Sequence, residues 1–496
     1  MSGTRTGYVL GNNSTGKRIP LAEIWVVLVL LVVYFNVSAG IDNTVVWVCL
    51  VLQYALMVGS IFRPQRIYRN IPTFMSAEFF FLFFSYLIFF YPYQLHVLGI
   101  YGVSQSHYFP GKTFADESNH AIILSVIAMV SFRAGFRALN SRRAQPANNE
   151  LGRLDLVSAH ALAIPVFMLQ LVLLIGYRVA GWRAAGEGRY TDSTTGGSFA
   201  EGVYLGITVL SMVAMAVWVF PPSKEQPKRS VFVTLSVILS IGWAVRLLLA
   251  GDRNAFLLIA IVAVGGFFTF RFRAGRWALL ALCVFALTLY SAVEQFRRGQ
   301  TDSLVDLVFT SDASTASSRD GDTSFNISTI SLRAALAAVP DRVDYGYGVY
   351  KLVGFAGVLP FIRGFLVPDD MKFTSSSDVL NAVLLGPSPT WGVGTNVIAD
   401  VYMDFGLLSV PVLLFLLGLG VAHAQNAVTR RPSSLWRATF YLTTFALVAQ
   451  MPRYALSFPV RPLLWVLLLF WATFWLSPVL AGRRQKLEPV DEAVTP

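Results

Sequence analysis

The chain has 496 residues, 55% of them hydrophobic, and a mean hydropathy of +0.58. Its repeated apolar runs of roughly 17 to 22 residues can each cross a bilayer as a helix, which makes it a polytopic membrane protein and excludes the soluble enzyme classes. The formal charge of +11 reports orientation in such a chain before it reports nucleic acid, and two cysteines inside apolar runs, Cys49 and Cys283, exclude a disulfide framework or a thiolate metal site.

Residues 1–20 read as a polar tail with Arg5, Lys17 and Arg18 and no cleavable leader pattern. About twelve spanning helices are predicted from the hydrophobic runs: 21–40, 45–62, 74–91, 119–138, 157–177, 202–220, 231–249, 255–270, 277–293, 397–421, 437–451 and 460–480. Placing the N-terminus in the cytoplasm puts Arg63, Arg66 and Arg69 inside, then five arginines over 133–153, then Lys224, Lys228 and Arg229. Arg271, Arg273 and Arg276, then Arg430, Arg431 and Arg437, and finally Arg483, Arg484 and Lys486 fall on the same side. This is the positive-inside pattern, so both termini are expected to be cytoplasmic, with 481–496 as a second tail.

Helices one to nine (21–293) and ten to twelve (397–480) are separated by an outer loop of residues 294–396, far longer than an ordinary connection and more often functional than idle. Its first part, "TSDASTASSRDGDTSFNIST", is expected to be mobile. Residues 347–366, apolar but broken by Gly354, Gly357 and Pro360, are expected to be interfacial or re-entrant rather than a further span.

Charged residues at the outer helix ends break the orientation rule and are costly in lipid, so they carry the chemical reading. Arg253 sits in "GDRN" between spans seven and eight, where Asp252 or Asn254 can cap the following helix; a capped surface turn is the plain alternative. Arg297 and Arg298 close span nine, with Glu294 at spacing that also suits ordinary helical salt bridges. Arg363 follows Pro360, and Arg453 and Arg461 stand in the last outer loop, "MPRYALSFPVRP". Guanidinium groups gathered at one leaflet suit bidentate recognition of phosphate.

Tyr345, Tyr347 and Tyr350 lie off the spans and are candidates for stacking on sugar rings, against the alternative of an interfacial aromatic belt. Asp400 and Asp404, one turn apart, and Glu294 are candidate proton acceptors; for the two aspartates the alternative is solvation at the rim. Asp320 and Asp322 in "DGD" are a weak metal signal, no metal or other cofactor is expected, and no phosphate-loop, serine hydrolase or zinc protease motif occurs.

Four stretches resemble the Wzy-type oligosaccharide repeat unit (O-antigen) polymerases, a family related to O-antigen ligases and C-type glycosyltransferases. They are "GDRNAFLL", "YGYGVYKLVGFAGVLPFIRGFL", "GVGTNVIADVYMDFGLLSVPVLLFLLGLG" and "MPRYALSFPVRP", all in the C-terminal half. Asp400 stands where the family usually has Glu. The resemblance implies an all-α inner-membrane protein whose large loop between helices nine and ten is periplasmic. It implies metal-independent polymerisation of polyprenyl-diphosphate-linked repeat units, from a lipid-linked chain to a lipid-linked acceptor, with a chain-length regulator as a partner and no nucleic acid. Arginines at the leaflet would stabilise the departing diphosphate and a carboxylate would take the acceptor proton. A ligase-type transferase and a flippase are the alternatives; a flippase should carry charges at mid-span depth.

Overall fold

The computed structural model describes residues 20–62, 65–68, 71–140, 153–187, 194–221, 230–272, 275–297, 324–358, 373–387, 389 and 391–485. Its helices follow the apolar runs, and seven of them begin at polar side-chain caps, since an uncapped helix start leaves amides without partners. Asp42, Ser76, Ser158, Asp252, Ser375, Asn396 and Ser434 each accept from a backbone N–H of the helix they open, each such cap adding about 1 kcal/mol.

In chain order the helices are α1 (Leu21–Asn36), α2 (Asn43–Ile61), α3 (Ala77–Ser85), continued through a π-helical turn at Tyr86–Phe90 into α4 (Tyr91–Val97), α5 (Ser118–Asn140) and α6 (Ala159–Val179). Then come α7 (Gly197–Val219), α8 (Val231–Leu249), α9 (Arg253–Phe270) and α10 (Arg276–Arg297). The 294–396 stretch contributes α11 (Ser324–Ala338), α12 (Val349–Ala356) and α13 (Ser376–Leu385), followed by α14 (Val397–Phe405), α15 (Ser409–Arg430), α16 (Leu435–Gln450) and α17 (Val460–Gln485). A two-strand antiparallel hairpin, Gln65–Tyr68 with Ile71–Thr73, follows α2.

Among the described residues eight helices are long and apolar enough to cross a membrane: α2, Ala77–Val97, Ala115–Leu139, α6, α7, α8, α9 and α15. Leu21–Asn36, Arg276–Leu289 and Val460–Leu476 are apolar but shorter. The protein is therefore all-α and polytopic, with the hairpin as its only strand pair among the described residues. Exposed Leu464, Leu468, Trp471 and Trp475 recur along one face of α17, the pattern of a lipid-facing stripe.

Polar contacts near the helix ends fall into two sets, as expected of helices that alternate in direction. At one end Asn119 donates to Ser38, Gln450 to Asn254 and Leu456 to Asp400. At the other Arg137 pairs with Glu23 at 2.6 Å, Asp155 holds Arg431 at 2.6 Å and Arg437 at 3.0 Å, and Arg271 donates to the Val219 carbonyl. The first set lies at the end that carries the 324–396 helices and is called the loop end here.

The bundle centre is tightest where α5 crosses α15. A side chain at Gly135 would meet the backbone of Phe415, and one at Gly418 the backbone of Phe132. Small residues on both helices let the backbones touch, the usual way apolar helices associate where no hydrophobic driving force separates them from lipid.

Two expectations change. The run 397–421 is not one helix: α14 ends at Gly406, whose φ of 78° no ordinary side chain favours, and the spanning helix starts at Ser409. Residues 324–329 of the Ser/Thr-rich stretch are not loose, because they open α11, whose Asn326, Ser328, Thr329 and Ser331 are all buried. Thr329 donates to the Ile88 carbonyl in the π-helical turn, where the altered ladder frees acceptors.

Candidate functional site

The loop end gathers the candidate residues into two groups. The first surrounds a narrow apolar cleft lined by Phe84, Leu87, Leu257 and Leu287 and closed on its polar side by Asn254, Gln450 and Arg453. The cleft exists because α9 and α16 meet there: the Gln450 amide donates to the Asn254 carbonyl at 2.9 Å and fixes the two helix ends side by side. Arg453 follows in a short 3-10 turn, Met451–Arg453, stiffened by Pro452.

Arg253 is the first residue of α9 and is only 2% exposed. Asp252 caps that helix, its Oδ1 accepting from the amides of Asn254 and Ala255 at 3.0 Å each while its Oδ2 accepts from the buried Tyr204 hydroxyl. The capped-turn reading of Asp252 and the inward placement of Arg253 thus coexist. Another contact, Arg246 with buried Glu187, ties α8 to the 180–187 segment, and Tyr177 donates to the same carboxylate at 2.8 Å.

Arg461 stands apart from this group. It lies on α17, with its guanidinium 4.6 Å from the Trp465 ring and close against Gly202 of α7. The sequence placed it beside Arg453; the fold sends it to a different wall.

The second group is a buried ion network. Lys351 of α12 reaches Asp400 Oδ2 at 2.6 Å, Asp404 Oδ2 at 2.9 Å and the Asp400 carbonyl at 2.9 Å. The other acceptor positions are also occupied: Ser376 donates to Asp400 Oδ1 at 2.6 Å and the Leu456 amide to Oδ2 at 2.8 Å. The Gly348 and Tyr350 amides donate to Asp404 Oδ1 at 3.1 and 3.4 Å. With 2% and 0% exposure, neither aspartate is solvated at a rim. They do share one helical face, and they join α12, α13, α14 and the last outer loop at a single point.

Tyr345, Tyr347 and Tyr350 do not form one patch. Tyr350 is buried, and burial together with the Asp404 charge raises its pKa. Tyr345 packs on Tyr402 and Gly406. Tyr347 is 78% exposed at a φ of 46°, held there by the hydrogen bond its backbone N–H donates to the Asp404 carbonyl at 2.9 Å. A bulky residue in that backbone region is held by its surroundings, and such outliers gather at functional positions.

Glu294 and Arg297 belong to the last turns of α10, with side chains outside the described residues; Arg298, Arg363, Asp320 and Asp322 lie outside them altogether. Among the described residues no group of three or more His, Cys, Asp and Glu could hold a metal ion.

The sequence reading missed two residues. Lys351 lies in the 294–396 stretch, where a lysine reads as a solvated loop residue, yet it is buried between two aspartates. Arg333 of α11 is wholly buried and donates to the Val103 carbonyl at 3.1 Å and to Ser118; among the described residues its Nε and Nη2 find no acceptor and no carboxylate pairs with it. An arginine in the middle of "STISLRAALAAV" was the available signal, since a lone cation within an apolar run has to be buried or to serve a site.

A family model described as O-antigen polysaccharide polymerase Wzy matches residues 23–479. No curated protein and no solved structure matches the chain.

Proposed function

Because the chain belongs to the O-antigen polysaccharide polymerase Wzy family, whose members act on lipid-linked glycans in membranes, we propose that it lengthens a polyprenyl-diphosphate-linked glycan at the outer face of the bacterial inner membrane. The donor is a lipid-linked chain and the acceptor a lipid-linked repeat unit. The observation that carries this reading is the cleft: an apolar slot suited to a polyprenyl tail ends at Asn254, Gln450 and Arg453, where a diphosphate would meet hydrogen-bond donors and a guanidinium.

In the reaction an acceptor hydroxyl oxygen bonds to the donor's anomeric carbon as that carbon's bond to the diphosphate oxygen breaks. The electron pair leaves with polyprenyl diphosphate, and the hydroxyl proton passes to a base. We assign charge stabilisation to Arg453 and Arg253, with Arg297, Arg298 and Arg363 completing the cationic surface and no metal required. Glu294, two turns beyond cleft residue Leu287 in α10, is the proposed base. Asp400 and Asp404, the other carboxylates of the sequence reading, act through Lys351: they fix the Leu456 amide and with it the loop bearing Arg453. Arg461, on its separate wall, is assigned to the acceptor's diphosphate. Tyr347 offers an exposed ring to the sugar, beside Phe405 and with Tyr345 packed behind it, while Tyr350 anchors their loop.

A flippase is disfavoured by where the charges of the span-length helices sit, within about two turns of the helix ends rather than at mid-span depth. The buried mid-span polar contacts, such as Gln170 with Ser211 and Ser240, are uncharged.

The test is incubation of purified protein with a lipid-linked repeat unit, read as a gel ladder. Arg453→Lys keeps the charge but loses the bidentate fork, and the ladder should shrink at least about a hundredfold, the scale of losing one transition-state contact. Normal-length product from Arg453→Lys at normal rate would sink the clamp.

A further inference from the structure

Two loops that the proposed reaction does not use meet at an aromatic cluster on the loop end. One is the 98–114 connection between α4 and α5, and the other is the 386–396 connection between α13 and α14. Tyr108 and Trp391 lie 6.0 Å apart between ring centroids, Phe109 sits 5.9 Å behind Trp391, and His107 stands 5.8 Å from Tyr108. Phe109 is buried, yet Tyr108 is 43% and Trp391 38% exposed. Large rings left open in this way need a reason, because burying them would have stabilised the fold.

The cluster is held from below. Arg333 donates to the Val103 carbonyl, the Asn326 amide to the Tyr101 hydroxyl at 2.7 Å, and the Val393 amide to Asn381 at 2.8 Å. Gly111 and Gly394 turn the two loops at φ 71° and 73°. Around the rings the exposed surface is Ser104, Gln105, His107, Lys112, Pro387 and Pro389. Such a rim is polar and stiff, unlike the continuous apolar stripe of Leu464, Leu468, Trp471 and Trp475 on α17, so it suits a ligand with an apolar face and a hydroxylated edge.

We propose that Tyr108 and Trp391, edged by His107 and Gln105, form a saccharide-binding subsite for the glycan chain away from its reacting end. It rests on the polymerase reading for the identity of the glycan. Pyranose rings would stack their C–H faces on the two rings and bond to the polar edge. The 386–396 loop joins α13 to α14, whose Ser376 and Asp400 are hydrogen-bonded to each other, so a chain held here stays attached to the element that positions the last outer loop. Retaining the chain between additions favours long product over release.

The test uses the full-length protein in lipid nanodiscs and two readouts. Binding of the delipidated repeat-unit polysaccharide is measured by titration calorimetry, and product length by gel after reaction with lipid-linked units. Trp391→Ala and Tyr108→Ala should each weaken binding by up to roughly tenfold, the ceiling for one ring contact. Product should shorten while the joining of the first two units keeps its rate, and Trp391→Phe should retain most of both. Thermal unfolding confirms that the variants are folded. Wild-type protein that binds no free polysaccharide, or a folded double Ala variant with unchanged binding and product length, would overturn the subsite and leave the rings as headgroup-level anchors. Failure of the polymerase reading looks different: wild-type protein yields no ladder, while the binding difference persists.

Discussion

Removing the Lys351 ammonium would strand two buried carboxylates one helical turn apart. Lys351→Met is therefore expected to cost about 3–5 kcal/mol, the scale for breaking a buried ion pair from one side, and should appear as a lowered unfolding temperature in detergent with poor membrane yield. A variant as stable as wild type would mean that the network is not closed as described. Arg333 presents the opposite case, a buried cation that meets no acid among the described residues. Arg333→Met keeps most of the volume and removes the desolvated charge, so it should hold or raise stability, whereas Arg333→Ala opens a void and should cost about 2–4 kcal/mol. Asp155 carries the pH dependence. Burial raises its pKa, but hydrogen bonds from Arg437, Ser434 and Arg431 outweigh burial and bring it below the ordinary 3.8. A depressed carboxylate contributes stability that is complete above its unfolded value and lost as pH falls through the folded one. Wild-type melting should thus drop more steeply than that of Asp155→Asn as pH falls below about 4. Equal slopes would remove Asp155 from the clamp.

At the scale of elements, the crossing of α5 and α15 depends on having no side chain at two points. Gly418→Leu would force the helices apart, and the expected cost is at least about 1–3 kcal/mol of overpacking, with loss of the folded peak in size-exclusion chromatography as the readout. Gly420 nearby meets nothing within 4 Å, and Gly420→Ala should be tolerated. This contrast was not legible in the sequence, where "LLGLGVAH" offers two glycines with nothing to rank them. The helix runs themselves were legible, because hydropathy reports what lipid demands of each segment separately. The break at Gly406 was not, because an apolar window passes smoothly across α14 and α15; Asp404-Phe405-Gly406 held the signal, a helix ending on glycine. The buried α11 was hidden for the converse reason. Its Ser and Thr residues look solvated until the carbonyls they bond are in place.

For the whole molecule, charge bias predicts which end faces which compartment, and the fold turns that into a measurement. Gln105 lies in an exposed loop at the loop end, while Ser433 lies exposed between α15 and α16 at the opposite end. Both native thiols, Cys49 and Cys283, are buried and should give little background labelling. In intact cells with a permeabilised outer membrane, Gln105→Cys should react with a charged maleimide, and Ser433→Cys should react only after the inner membrane is opened. The reverse order would put the arginines, the cleft and the Tyr108–Trp391 cluster on the cytoplasmic side, where basic residues are ordinary, and would remove the reason for reading those arginines as a site. The candidate site was partly legible for the same reason: arginines that the charge bias would put on the wrong side of the membrane point to a task. Which of them share a wall is set by helix packing, and only the fold separates Arg461 from Arg453.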